Sequence, residues 1–91
     1  MNSVIEQAKA LRKSIDATPE AQEYYRLKSL YENDKELKKM RQDIARLKSE
    51  GKEEERNSLL KIYNSHPLVN NFQIAEEELK ELLRTVQNII Q

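Results

Sequence analysis

The sequence predicts an all-α fold: about five helices in an up-and-down helical bundle with a long C-terminal helix, expected to be dimeric. Three observations carry this. The 91 residues include one Gly and two Pro, and many of the rest are the helix formers Glu, Lys, Leu, Gln and Ala. Polar capping residues next to Pro, acidic residues or Gly interrupt the chain at four points. Between these breaks, apolar residues recur at three- and four-residue spacings. The length favours a single helical domain, 1–91, with helices at about 3–15, 19–32, 34–50, 53–64 and 67–90.

The first helix places Val4, Ile5, Ala8, Leu11 and Ile15 on one face. Thr18 then caps a second helix whose first residue is Pro19, where the missing N–H costs nothing, and Glu20 favours the positive end of the dipole. Tyr24, Leu27, Lys28 and Tyr31 lie near one face of that helix. Asn33 is the expected N-cap of the third helix, with Glu36 completing a variant capping box. Leu37, Met40, Ile44 and Leu47 follow at spacings 3, 4, 3. Extending that seam by heptads lands on Gly51, Glu54, Ser58 and Lys61, all unsuitable, whereas apolar residues resume at Leu59 and Ile62. A turn at Gly51 is therefore expected instead of one continuous rod. Pro67 opens the fifth helix, where Leu68, Phe72, Ala75, Leu79, Leu82, Val86 and Ile89 are spaced 4, 3, 4, 3, 4, 3. Leu83 and Ile90 widen that stripe beyond a strict coiled-coil seam.

Composition also bounds function. Sixteen Lys and Arg balance sixteen Asp and Glu, which argues against a primary nucleic-acid binder. The chain has no Cys, so disulfides and thiolate metal sites are excluded. It has no apolar run near the length of a membrane span, and Glu6, Gln7 and Lys9 interrupt any signal-peptide core, so a cytoplasmic protein is expected. Apolar residues make up only 37%. Ordering the chain costs roughly 1.5 kcal/mol per residue, and so thin a core points to apolar surface shared between subunits. Leu68, Phe72, Leu79, Leu82, Val86 and Ile89 form the expected core and interface seam.

No catalytic constellation is present. His66 is the only His and has no nearby Asp or second His, so it reads as a cap before Pro67. Glu76, Glu77, Glu78 and Glu81 read as solvated partners of Lys80 and Arg84, not as a carboxylate metal site. There is no Gly-rich phosphate loop and no Ser-centred nucleophile elbow, so no enzyme, metal or cofactor is expected. The third helix is basic: Lys35, Lys38, Lys39, Arg41, Arg46 and Lys48 against Asp34, Glu36, Asp43 and Glu50 leave +2. The fifth is acidic: four Glu against Lys80 and Arg84 leave −2. The simplest reading is mutual attraction of the two helices. A sharper one is that Tyr25, Lys35, Lys38, Lys39 and Arg41 form a partner surface, for another protein or for RNA phosphate. A structural or chaperone-like helical oligomer is the remaining alternative.

Two stretches, EYYRLKSLYENDKELKKMRQDIARL and NSHPLVNNFQIAEEELKELLRTVQNII, are similar to the YlbF/YmcA family of bacterial helical regulators. The likeness lies in the Asn33-Asp34 break, in Ser65-His66-Pro67-Leu68-Val69 opening a long helix, and in Ala75-Glu76, and it covers nearly the whole chain. The resemblance implies an oligomeric all-α bundle in a Gram-positive-type cytoplasm, acting as a non-catalytic accessory subunit. Named members of that family act with a third protein to adjust RNase Y, a membrane-tethered endoribonuclease, and so influence mRNA maturation, competence, sporulation and biofilm formation. Any iron–sulfur ligation ascribed to complexes of that family would find no thiolate in this chain.

Overall fold

The computed structural model describes residues 3–90; the side chain of Ile90, expected to widen the last stripe, lies outside the described residues. Five helices follow one another: α1 Ser3–Asp16, α2 Pro19–Asn33, α3 Lys35–Ser49, α4 Glu53–Ser65 and α5 Pro67–Ile90. No strand occurs among the described residues. Each helix boundary falls within one residue of its expected position.

Local chemistry sets the breaks. Thr18 Oγ1 accepts from the Ala21 N–H at 3.2 Å, with Pro19 at the first helical position. At the next break the cap is Asp34, not Asn33. Its carboxylate accepts from the Leu37 N–H at 2.9 Å, and its backbone is extended, while Asn33 closes α2 and turns its amide to the Ser29 carbonyl at 2.8 Å. Leu37 thus takes the third helical position, and the capping box expected with Glu36 is not formed. Gly51, at φ +71°, ends α3 in a Schellman motif. The Lys52 N–H reaches the Leu47 carbonyl at 3.0 Å and the Gly51 N–H reaches that of Lys48 at 3.2 Å. The expected turn between α3 and α4 follows from these bonds.

Packing is uneven along the molecule. The α2 and α5 backbones come into the most extensive close approach, and Ala21 and Ala75, both buried, keep side-chain bulk low on these two helices. Tyr31 sits with Leu68 and Val69, whereas Glu23 and Arg26 share a groove with Ala75 and Glu78. The two helices therefore run antiparallel. Helices α3 and α4 pair chiefly with each other. Leu37, Tyr63 and Val69 form the buried core where this hairpin meets the end of α2 and the start of α5, with Tyr31, Met40, Ile44 and Leu68 packed against it.

The fifth-helix seam is only partly covered. Leu68, Phe72, Leu79, Leu82 and Val86 are half-buried, Ala75 is buried, and Ile89 is 77% exposed. The most enclosed α5 residue is Val69, just off that seam, because the α3/α4 hairpin approaches from its side. Helix α1 is the least covered of the five. Among the described residues it approaches only α2 closely, and all its residues but Ile15 and Asp16 are exposed. Its apolar face is not buried within the chain.

The molecule is a rod of 54 × 23 × 22 Å. Its radius of gyration, 17.9 Å, exceeds the roughly 12 Å of a compact domain of this length.

Candidate interaction surfaces

At one end of the rod a cluster of aromatic side chains joins three helices. Phe72 of α5 stacks on Tyr24 and Tyr31 of α2, with ring centroids 5.5 and 4.7 Å away. The Tyr31 and Tyr63 hydroxyls hydrogen-bond each other, linking α2 to α4. Burial, then the hydrogen bond with Tyr31, pushes the Tyr63 phenol above its ordinary value, and the nearby Arg41 only partly offsets this.

Arg41 lies over the Tyr31 ring, its guanidinium carbon 4.6 Å from the centroid. Its Nη1 is shut off from solvent and makes no hydrogen bond in good geometry. Burial alone would loosen its proton, but the Tyr63 and Tyr31 hydroxyls outweigh this and hold the guanidinium charged. The orientation makes Arg41 a packing group between α3 and the tyrosines.

The other basic residues singled out on α3 differ. Lys35, Lys38 and Lys39 are exposed and form no ion pair among the described residues. The expected attraction between basic α3 and acidic α5 is not realised through ion pairs. Glu76 and Glu77 reach Lys80 at 3.1 and 3.7 Å, and Glu81 reaches Arg84 at 2.6 Å, all within α5. The reason is packing: α3 lies along α4, and its backbone makes no close approach to α5.

Tyr25, 45% exposed, donates its hydroxyl to Asp16 Oδ1 at 3.0 Å and sets its ring edge-on to Tyr24. The hydrogen bond to the Asp16 carboxylate raises its pKa. Gln22 adds a bond from its amide to the Asp16 carbonyl at 3.0 Å. These contacts tie α1 to α2 by its last turn. Sequence spacing marks Tyr25 as exposed but gives no sign of this bond.

His66 accepts from the Leu68 N–H through Nδ1 at 3.1 Å, so it caps α5. No group of three or more His, Cys, Asp or Glu is placed to hold a metal ion among the described residues. No helix among them is long and apolar enough to cross a membrane.

Apolar surface is concentrated elsewhere. On α1, Val4, Ile5 and Leu11 are exposed, Val4 to 76%. Leu83 and Ile89 are exposed on the last turns of α5. An open groove between α2 and α5 is floored by Leu27 and Ala75, with Ile74 half in solvent, and rimmed by Glu23, Arg26 and Glu78.

Fold and surface together define an all-helical protein with a self-contained core at one end and uncovered apolar stripes at the other. The chain belongs to the family described as control of competence regulator ComK, YlbF/YmcA, which matches residues 4–91. No curated protein and no solved structure matches it. Membership places the chain among regulators.

Proposed function

We propose that the protein is a non-catalytic regulatory subunit that acts in the cytoplasm by binding other proteins. The observation that carries this reading is the set of uncovered apolar side chains on an all-helical member of a regulator family. Contiguous exposed apolar residues on a helical face mark interaction sites. Helical grooves and stripes of this kind take partner helices by an i, i+3, i+4 pattern of anchors. By the family resemblance, the regulated protein is a ribonuclease of the RNase Y type, and the effect falls on mRNA processing and development in a Gram-positive-type bacterium.

The test is co-purification of the full chain with that endoribonuclease from cells that make both, together with transcript cleavage in cells lacking the protein. Specific co-purification and altered cleavage support the reading. Unchanged cleavage with no association overturns it.

A second reading has its own observation: Lys35, Lys38 and Lys39 are exposed on one helix and form no ion pair among the described residues. Direct contact with RNA phosphates would weaken steeply with salt, and Lys38→Glu with Lys39→Glu would abolish it. An affinity unchanged by that double substitution removes RNA from consideration.

A further inference from the structure

We propose that the groove between α2 and α5 is a docking site for one amphipathic helix of a partner protein, with aliphatic anchors on its inward face and Lys or Arg beside them. The proposal rests on the reading of the chain as a protein that binds others, and it assigns that binding to one surface and one chemistry.

The fold leaves this groove open. Its lining residues all belong to α2 and α5. On α5, Asn71, Ile74 and Glu78 lie on the side opposite Val69, at about 3.6 residues per turn, and Val69 is the residue that meets the α3/α4 hairpin. The hairpin therefore covers one side of the α2/α5 pair and leaves the other without a third layer. The floor is apolar, with Leu27 and Ala75 both buried. Ile74 stands on the lip at 50% exposure, and Leu30, one turn beyond Leu27 on α2, is 49% exposed. These aliphatic side chains form a strip along the seam.

Shape selects a helix. The walls are two helices whose backbone groups are paired within themselves, so an extended segment finds no edge to add to. A third helix laid along the seam packs its side chains between those of α2 and α5. The groove holds about 210 Å³, less than the roughly 300 Å³ at which pockets for small ligands begin. It takes anchoring side chains, not a small molecule.

Charge selects the partner. Glu23 is held by Arg26, whose Nε donates to it at 3.1 Å. Glu78, on the opposite wall, forms no ion pair among the described residues, whereas Glu76, Glu77 and Glu81 are paired within α5. Glu23 and Glu78 against Arg26 leave the rim at −1, which repels a phosphate backbone. A Lys or Arg beside the anchors of an incoming helix meets Glu78 at the edge of an apolar contact, where charge sets partner choice.

Backbone amide shifts of the isotope-labelled full chain test this while two synthetic stapled helical peptides are added. One carries Leu at i, i+3 and i+7 flanked by Lys; the other has Glu in place of each Lys. The Lys peptide is expected to move the amides of Leu27, Leu30, Ile74 and Ala75, and the Glu peptide to bind roughly tenfold more weakly. Glu78→Lys is expected to reverse that order, and Ile74→Asn to abolish binding of the Lys peptide. Both side chains are exposed, so both variants keep the helical circular dichroism of the wild type. No shift in the groove, or equal affinity for the two peptides, overturns the proposal. Groove amides that shift on concentrating the protein without peptide place a second copy there and overturn it too. Co-purification of the endoribonuclease with Ile74→Asn at the wild-type level also overturns it, while leaving the regulatory reading intact. Peptide binding as expected, with no endoribonuclease association by the wild type, supports the groove and counts against that reading alone.

Discussion

The two ends of the rod have nearly the same apolar spacing and opposite burial. At the α3/α4 end, Leu37 and Leu47 are enclosed, Tyr31, Tyr63, Phe72 and Arg41 interlock, and the turn at Gly51 is closed by backbone hydrogen bonds. At the α1 end, Val4, Leu11 and Ile89 are as regularly spaced and stand in solvent. The difference teaches that helical periodicity marks the face that requires cover but not the element that supplies it. One end finds its cover within the chain. The other leaves its stripes available.

The strongest way to test that contrast is to truncate one apolar residue at each end. Leu37→Ala opens a cavity beside Tyr63 and Val69 in the buried cluster and should cost about 2–5 kcal/mol in urea unfolding. Val4→Ala, measured in dilute protein, should cost within ~0.5 kcal/mol, since Val4 is 76% exposed and its truncation removes little buried area. Similar costs at both positions would erase the distinction.

A smaller effect is expected at the turn. Nothing lies within 4 Å of a Cβ built on Gly51, so Gly51→Ala costs only its left-handed backbone, roughly 1–2 kcal/mol, in thermal or urea unfolding. A neutral substitution would mean that α3 and α4 can join without this turn. Asp34→Ala removes the α3 cap and should cost about 1 kcal/mol, whereas Asn33→Ala should cost less. The reverse order would restore Asn33 as the cap.

The smallest effect concerns pH. The Tyr63 phenol is held above the ordinary tyrosine value by burial and by Tyr31. Its protonated form is therefore favoured by the fold. That contribution is intact below the unfolded value near 10 and is lost as pH rises through the higher folded value. A phenolate absorbance titration should show two delayed ionisations, of which Tyr63→Phe removes one and leaves that of Tyr25. If all four tyrosines ionise together at the ordinary value, the buried cluster is not as tight as described.

Much of the architecture was legible in the sequence. Thr18-Pro19, Gly51 and His66-Pro67 announce breaks through chemistry that acts within a few residues, and the structure keeps all three. The α3 seam from Leu37 to Leu47 was also legible, since both end residues are buried. Asn33 and Asp34 are both good caps, and only the observed bond to Leu37 distinguishes them. Val69 lies off the regular α5 seam, and its burial depends on the approach angle of the α3/α4 hairpin, which spacing does not encode. Arg41 reads as surface charge until the Tyr31 ring is placed beneath it. As for the interaction surface, spacing placed the apolar residues of α1 on one face, and whether that face is covered is a tertiary property that spacing does not encode.

Amide hydrogen exchange at high and low protein concentration, resolved by segment, tests the central contrast most directly. Protection across α3, α4 and the start of α5 should be independent of concentration, while protection of α1 and the last turns of α5 should be present in concentrated protein and fall on dilution. Equal and concentration-independent protection at both ends would contradict the account, since α1 would then be covered within its own chain.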